Sequence, residues 1–359
     1  MKNEEARLLE IGKIAVFPCD MPEVKPDEVL VRMEYCGVCG SDVAYFRRGG
    51  IGRRKVTFPY VLGHECTGEI LEIGSEVTNV AVGDKIVMEP GLGCGHCEYC
   101  MTGRYNLCEE MKFMATPPYN GAFKRYMSYP ARGCFKLPDS VSTLEGAMIE
   151  PLAVGIHAAR RGEVDNSKTV LITGVGCIGL MTLLACKAMN AQKIIVSDVF
   201  DNRLDKALEL GADYAINVSR EDLATRVKEL TDGNGPDIIL ETSGNAKSIA
   251  ANVYAIRRGG VIVQVGTCAD PVPYQFNELG KIEADIRSVF RYRNIFPLAI
   301  KLIEKGDIDL KAVGPNIFDF EDVAEAFDTA INKGNEVVKC ILKFCEDMKG
   351  RRGETWEKR

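Results

Sequence analysis

The sequence TGVGCIG, residues 173–179, stands between the apolar run Thr169 to Ile172 and the helix-compatible stretch LMTLLACKAM. Gly174, Gly176 and Gly179 form G-x-G-x-x-G in the strand–turn–helix setting that gives this spacing its meaning. The first glycine allows a tight turn, the second lets the backbone approach a pyrophosphate, and the third lets the helix pack closely on the strand. Phosphates would then sit at the helix N-terminus. Asp198 ends the next apolar run, KIIVSD, at the roughly 20-residue distance expected of a carboxylate that binds adenosine ribose hydroxyls. That charge repels a 2′-phosphate, which predicts NAD. Arg203 is read as stacking on the adenine face, although an arginine in this neighbourhood can also accommodate NADP. Ile178, inside the fingerprint, and Val265, in VIVQVG, complete the predicted cofactor contacts. The bland alternative is a glycine turn of the same fold without a ligand.

Working outward, the apolar runs TVLITG, KIIVSD, DIILET and VIVQVG alternate with helical segments at Arg203–Leu210 and Glu221–Leu230. This predicts βαβ units and a doubly wound parallel sheet over residues 153–290, a Rossmann-type α/β domain. Residues 1–152 have another texture: short β-branched runs such as EVLVRM and TGEILEIGSEV lie between glycines and prolines. They predict a barrel-like, mostly antiparallel domain. Residues 291–359 mix the helical segments PLAIKLIEKG and EDVAEAFDTAINKG with the strand-like VVKCILKF, and are expected to fold back onto the first domain. The charged tail from Glu346 is expected to fray.

A chain of 359 residues is long enough for two domains with separate cores. Its 45 basic and 51 acidic residues leave a net charge of −6, which argues against nucleic acid or an anionic membrane as partner, since both polyanions would repel it. A small ligand is expected instead. The uncharged stretch Thr169–Cys186 approaches membrane-span length, but its glycines and early β-branched residues read as buried strand, turn and helix. The opening MKNEEARLLEIGKIAVF has no secretory apolar core. A cytoplasmic setting is therefore expected, with the fourteen cysteines as reduced thiols.

Four of those thiols, Cys94, Cys97, Cys100 and Cys108, fall within fifteen residues at C-x2-C-x2-C-x7-C spacing. Four thiolates can close a tetrahedron on zinc and leave no open position, so this site is predicted to hold a loop. Iron–sulfur ligation is the alternative, and His96 is read as exposed loop. A second set is dispersed: Cys39 in GVCGSD, His64 and Glu65 in GHE, Glu150 and His157 in IEPLAVGIH. A thiolate, an imidazole and a carboxylate make a zinc site with its fourth position open. By spacing alone the commoner reading of each is packing or a hydrogen bond, and His157 is read as structural.

The succession GVCGSD, GHE, the four-cysteine loop, ATPPYNG, IEPLAVGIHAARRG, the glycine fingerprint and FRYRN resembles the zinc-dependent medium-chain dehydrogenases, and within them the sorbitol (polyol) dehydrogenase branch, over nearly the whole chain. The resemblance implies a GroES-like barrel domain, a Rossmann domain and an active site in the cleft between them. It implies Cys39, His64 and Glu65 as catalytic zinc ligands, and Glu150 as a carboxylate reaching the metal directly or through water. Ser41 lies close enough to Cys39 in sequence to join a proton relay. Tyr45, Phe113, Thr116, Arg291 and Tyr292 match substrate-pocket positions. The implied reaction passes hydride between a secondary hydroxyl of a sugar alcohol, such as sorbitol or xylitol, and NAD, in a homodimer or homotetramer. Ala44 departs from the pattern, because many members carry SDVHY where this chain has SDVAY. Alanine can neither shuttle a proton nor bind a hydroxyl. Two readings stand beside this one. The chain could be a zinc dehydrogenase for threonine or 2,3-butanediol, since Arg291 can grip a carboxylate, or a non-catalytic binding protein of the same fold.

Overall fold

Six strands, Thr169–Thr173, Lys193–Asp198, Tyr214–Asn217, Ile238–Glu241, Val261–Gln264 and Asp285–Ser288, form one sheet in which every neighbouring pair is parallel. They belong to a computed structural model that describes residues 2–268 and 271–344; the charged tail from Glu346 lies outside those residues. Across the sheet the order reverses between Thr169–Thr173, which is flanked by Lys193–Asp198, and Ile238–Glu241, which leads on to Val261–Gln264. This is the doubly wound arrangement, and its reversal point opens a crevice beyond the strand ends. Alternate residues serve opposite faces. Ile172, Val196 and Leu240 join one core, while Leu171, Ile195 and Ile239 join another. Both faces are covered, which is why these strands read as continuous apolar runs. The uncharged stretch resolves into the strand Thr169–Thr173 and the helix Cys177–Ala188. No helix among the described residues is long and apolar enough to cross a membrane.

A second, largely antiparallel sheet gathers strands from both ends of the chain. Glu28–Gly37 pairs antiparallel with Glu65–Ile73 and also with Cys340–Lys343, Ile341 lying opposite Gly37. Asn316–Asp319 extends this sheet parallel to Cys340–Lys343. The chain beyond residue 290 divides its packing. Tyr292, Ile295, Phe296 and Ala299 share a core with the helix Ile149–Gly162 and the parallel sheet, whereas Phe320, Phe327 and Leu342 enter the core of the antiparallel sheet. The strand pairing sets up the site. It brings the end of Glu28–Gly37, the start of Glu65–Ile73 and the residue preceding Cys340 to one place.

Candidate active site

After Gly37 the chain turns at Cys39, which caps the helix Gly40–Arg48. Asp42, in the first turn and fully buried, accepts the Cys39 N–H at 3.0 Å and the Gly63 N–H at 3.1 Å. It thereby ties the cysteine loop to the His64–Glu65 segment. The ligand atoms of Cys39, His64 and Glu65 lie within 4.8 Å of one another. His64 Nδ1 faces Asp42 Oδ1 at 3.7 Å and has no hydrogen-bond partner among the described residues. Burial pulls the His64 pKa down, yet Asp42 and Cys39 raise it well above the ordinary value. A buried pocket with this preference for positive charge, lined by thiolate, imidazole and carboxylate donors, fits a zinc ion with one position left open.

Glu65 is met by the Lys339 ammonium, and both side chains are buried. Lys339 also donates to the Val38 carbonyl at 3.1 Å. Gly37 makes the room: a Cβ there would collide with the Glu65 carboxylate and Lys339 Cε. Sequence reasoning misses Lys339, and the only signal available is a lysine inside the apolar run VVKCILKF. Glu150, in the first turn of Ile149–Gly162, stays outside the close group of three ligands. Desolvation pushes its carboxyl up to about 6, opposed by His64 and assisted by Glu65. His157 belongs to no metal-ligand group among the described residues and lies among Arg293, Arg161 and Arg160.

An aromatic wall rises from the ligands. The Phe113 ring centre is 5.6 Å from that of His64, and the Arg291 guanidinium lies over Phe113 at 3.9 Å. Tyr45 is buried with its ring 6.4 Å from Tyr60, and Tyr292 is buried within reach of the Glu150 charge. Thr116 is tied to this wall only through the backbone, donating its N–H to the Phe113 carbonyl at 3.1 Å. Ser41 follows Cys39 by two residues and is half-buried.

The glycine fingerprint borders a cavity of 680 Å³ lined by Gly174, Gly176, Asp198 and Arg203, with Thr242, Ser243, Asn245 and Lys247 opposite. Asp198 accepts the Val175 N–H at 2.8 Å and the Val199 N–H at 2.8 Å, which fixes its carboxylate at the strand end. Arg203 lies 3.7 Å from Asp198 and over the Phe200 ring at 5.1 Å. Gly179 serves helix packing, since a Cβ there would strike the Gly174 carbonyl. Ile178 and Val265 are not among the cavity residues; the Ile178 carbonyl accepts the Thr182 hydroxyl at 2.7 Å, and Val265 packs against a core. The residues from Thr242 to Asn245 escape the sequence reading. Their position at the end of DIILET and just beyond it, at the strand-order reversal, is the signal that could have found them. Cys177, first residue of the fingerprint helix, feels the charges of Lys339, Glu65 and Cys39, while desolvation pushes its thiol up to about 12. The cofactor crevice and the ligand group are therefore neighbours.

The ligand atoms of Cys94, Cys97, Cys100 and Cys108 also lie within 4.8 Å of one another. Cys94 Sγ and Cys100 Sγ are 3.9 Å apart, close to the roughly 3.8 Å edge of a tetrahedron with 2.3 Å zinc–sulfur bonds. The N–H groups of His96 and Cys97 are the main reason the Cys94 thiol falls to about 6. Desolvation pushes the Cys100 thiol the other way, up to about 12, so it is the spacing of the four sulfur donors that fits a closed zinc site. His96 is exposed and faces Glu110 at 3.7 Å. All thirteen cysteines among the described residues are free thiols.

Comparison with known proteins follows the same division. The family described as alcohol dehydrogenase GroES-like domain matches residues 25–139, and that described as zinc-binding dehydrogenase matches residues 177–305. The chain is 39% identical to a sorbitol dehydrogenase of Bacillus subtilis, over 92% of this chain and 93% of the relative. It is 42% identical to L-idonate 5-dehydrogenase of Vitis vinifera, over 94% of this chain and 93% of the relative. A solved Escherichia coli oxidoreductase/dehydrogenase of unknown specificity superposes with a TM-score of 0.93 at 41% identity, covering 96% of this chain and all of the other.

Proposed function

Since the chain belongs to the zinc-type alcohol dehydrogenases of the medium-chain superfamily, we propose that it is an NAD-linked dehydrogenase oxidising a secondary hydroxyl of a polyol to a ketone. The observation that carries this reading is the convergence of Cys39, His64 and Glu65 at the foot of a wall formed by Tyr45, Phe113, Arg291 and Tyr292, beside the fingerprint helix. When bound, zinc supplies a Lewis acid that makes the substrate hydroxyl more acidic, and nicotinamide supplies the hydride acceptor.

The chain's own contribution is positional. Asp42 faces His64 and holds the Cys39 loop, while Lys339 balances the Glu65 charge. The aromatic wall keeps water from the reacting carbon. Ser41 offers a hydroxyl beside Cys39 to pass the released proton, a role that Ala44 cannot take, and Glu150 offers a carboxylate on the Tyr292 side. Asp198 lines the cofactor cavity at the strand end, held there by the Val175 and Val199 N–H groups, which supports NAD because a carboxylate at this position disfavours a 2′-phosphate. The edge strand Asp285–Ser288, paired on one side only among the described residues, supports strand pairing between two copies.

Steady-state NADH formation with sorbitol, xylitol, 2,3-butanediol and threonine tests the proposal. Polyol oxidation is expected, with kcat/KM for NAD at least tenfold above NADP. Activity confined to threonine or butanediol, or a preference for NADP, contradicts it.

A further inference from the structure

The run RRGGIGRRK, residues 47–55, places Arg47, Arg48, Arg53, Arg54 and Lys55 within nine residues of a chain whose net charge is −6. All five are exposed, and none forms an ion pair with an acid among the described residues. Arg54 and Lys55 form one strand of a short hairpin against Gly50–Ile51, directly after the helix that carries Asp42 and Tyr45. Of the five, Arg54 is the one whose charge is among the main influences on the residues of the substrate wall. Its charge acts on Tyr45 more strongly than those of Asp42, His64 and Arg291 do, and it acts on Arg291 more strongly than any other ionised group.

Arg291 is the second half of the observation. It is half-buried and makes neither a hydrogen bond nor an ion pair with another described residue; its guanidinium lies over Phe113 at 3.9 Å and over Phe290 at 4.9 Å. Its backbone sits in the left-handed region, φ 56°, an unfavourable conformation for a side chain of this size. Desolvation, and then the charge of Arg54, push it down to about 10. Two guanidinium groups thus address one cleft. The carboxylates nearby have other partners: Glu65 has Lys339, Asp42 has the N–H groups of Cys39 and Gly63, and Glu89 has the Tyr105 hydroxyl at 2.6 Å. Among the main influences on Arg291 the one carboxylate is Glu150, with a weaker effect than Arg54 has in opposition. One aromatic ring, Phe113, separates Arg291 from the ligand His64.

A neutral polyol would accept hydrogen bonds from these donors and leave their charge unanswered. A carboxylate or a phosphate answers both, because guanidinium binds either through paired N–H groups. We infer that the preferred substrate is a polyol carrying a terminal anionic group, its secondary hydroxyl at the Cys39–His64–Glu65 group and its anion held by Arg291 and Arg54. This rests on the dehydrogenase reading above and narrows its substrate class. The basic run also predicts faster capture of such a substrate at low ionic strength.

The test uses the full-length enzyme with NAD and three probes: sorbitol, gluconate for the carboxylate arm and sorbitol 6-phosphate for the phosphate arm. Calorimetric binding of the same probes in the presence of NADH accompanies turnover. At least one anionic probe is expected to exceed sorbitol about tenfold or more in kcat/KM and in affinity, the range of a charge-assisted contact, and to lose that advantage in high salt. Arg54→Gln should lower the anionic-to-neutral ratio of kcat/KM about tenfold, mainly through KM, and Arg54→Glu should abolish it. Arg54 is exposed on a hairpin, so both variants should fold. Equal or better use and binding of sorbitol, or a ratio unmoved by Arg54→Glu, overturns the inference while leaving a polyol dehydrogenase in place. Absence of NADH formation with any probe contradicts the dehydrogenase reading, and calorimetry still decides whether anions are preferred.

Discussion

His157 shows how a residue with metal-ligand chemistry can be set to another task. It is 6% exposed, and burial, followed by the charges of Arg293, Arg161 and Arg160, pushes it down to about 4 from an ordinary 6.5. The unfolded chain therefore binds a proton at this residue more readily than the folded chain does. Its contribution to stability is complete above pH 6.5 and is lost as the pH falls through 4. A His157→Gln variant should flatten the pH dependence of unfolding between those values, measured by urea titration; an unchanged slope contradicts the assignment. Lys339 gives the complementary case, a charge whose partner is equally buried. Removing one member of such a pair leaves the other uncompensated, at a cost of roughly 3–5 kcal/mol. Lys339→Met should destabilise by about that amount, and adding Glu65→Gln should restore part of it. Full additivity of the two changes would show that the pair is not coupled.

At the scale of elements, legibility followed how far apart in the chain the cooperating residues lie. The four-cysteine loop was readable because its ligands and the glycines that let it turn fall in one short stretch, and the fingerprint because strand, turn and helix are consecutive. Cys39, His64 and Glu65 were weaker, since only the pairing of Glu28–Gly37 with Glu65–Ile73 brings them together. Lys339 has only the faint signal of a lysine in an apolar run: it meets Glu65 because Cys340–Lys343 pairs with the other side of Glu28–Gly37. Arg54 was equally hidden, because nothing in a basic hairpin announces which cleft it faces. For the loop itself, Cys97→Ser should lower bound zinc from about two to about one per chain and reduce the melting temperature by roughly 5 °C or more. Unchanged zinc content and melting temperature would mean that these thiols do not hold a metal.

Across the whole molecule, the antiparallel sheet contains both early and late strands, and the parallel sheet is built from the chain between them. The ligand group lies at the junction, with Cys177 of the fingerprint helix close to Lys339 and Cys39. Histidine is scarce, with three in the chain, and only His64 lies in the buried ligand group of Cys39 and Glu65, so the site depends on its metal and carboxylates. The most direct check is NADH formation from a polyol substrate by one preparation with zinc intact, after chelation, and after zinc is returned. Turnover should fall to background on chelation and recover in proportion to the zinc rebound. Undiminished turnover by the metal-free protein, or no NADH at any stage, would contradict the account.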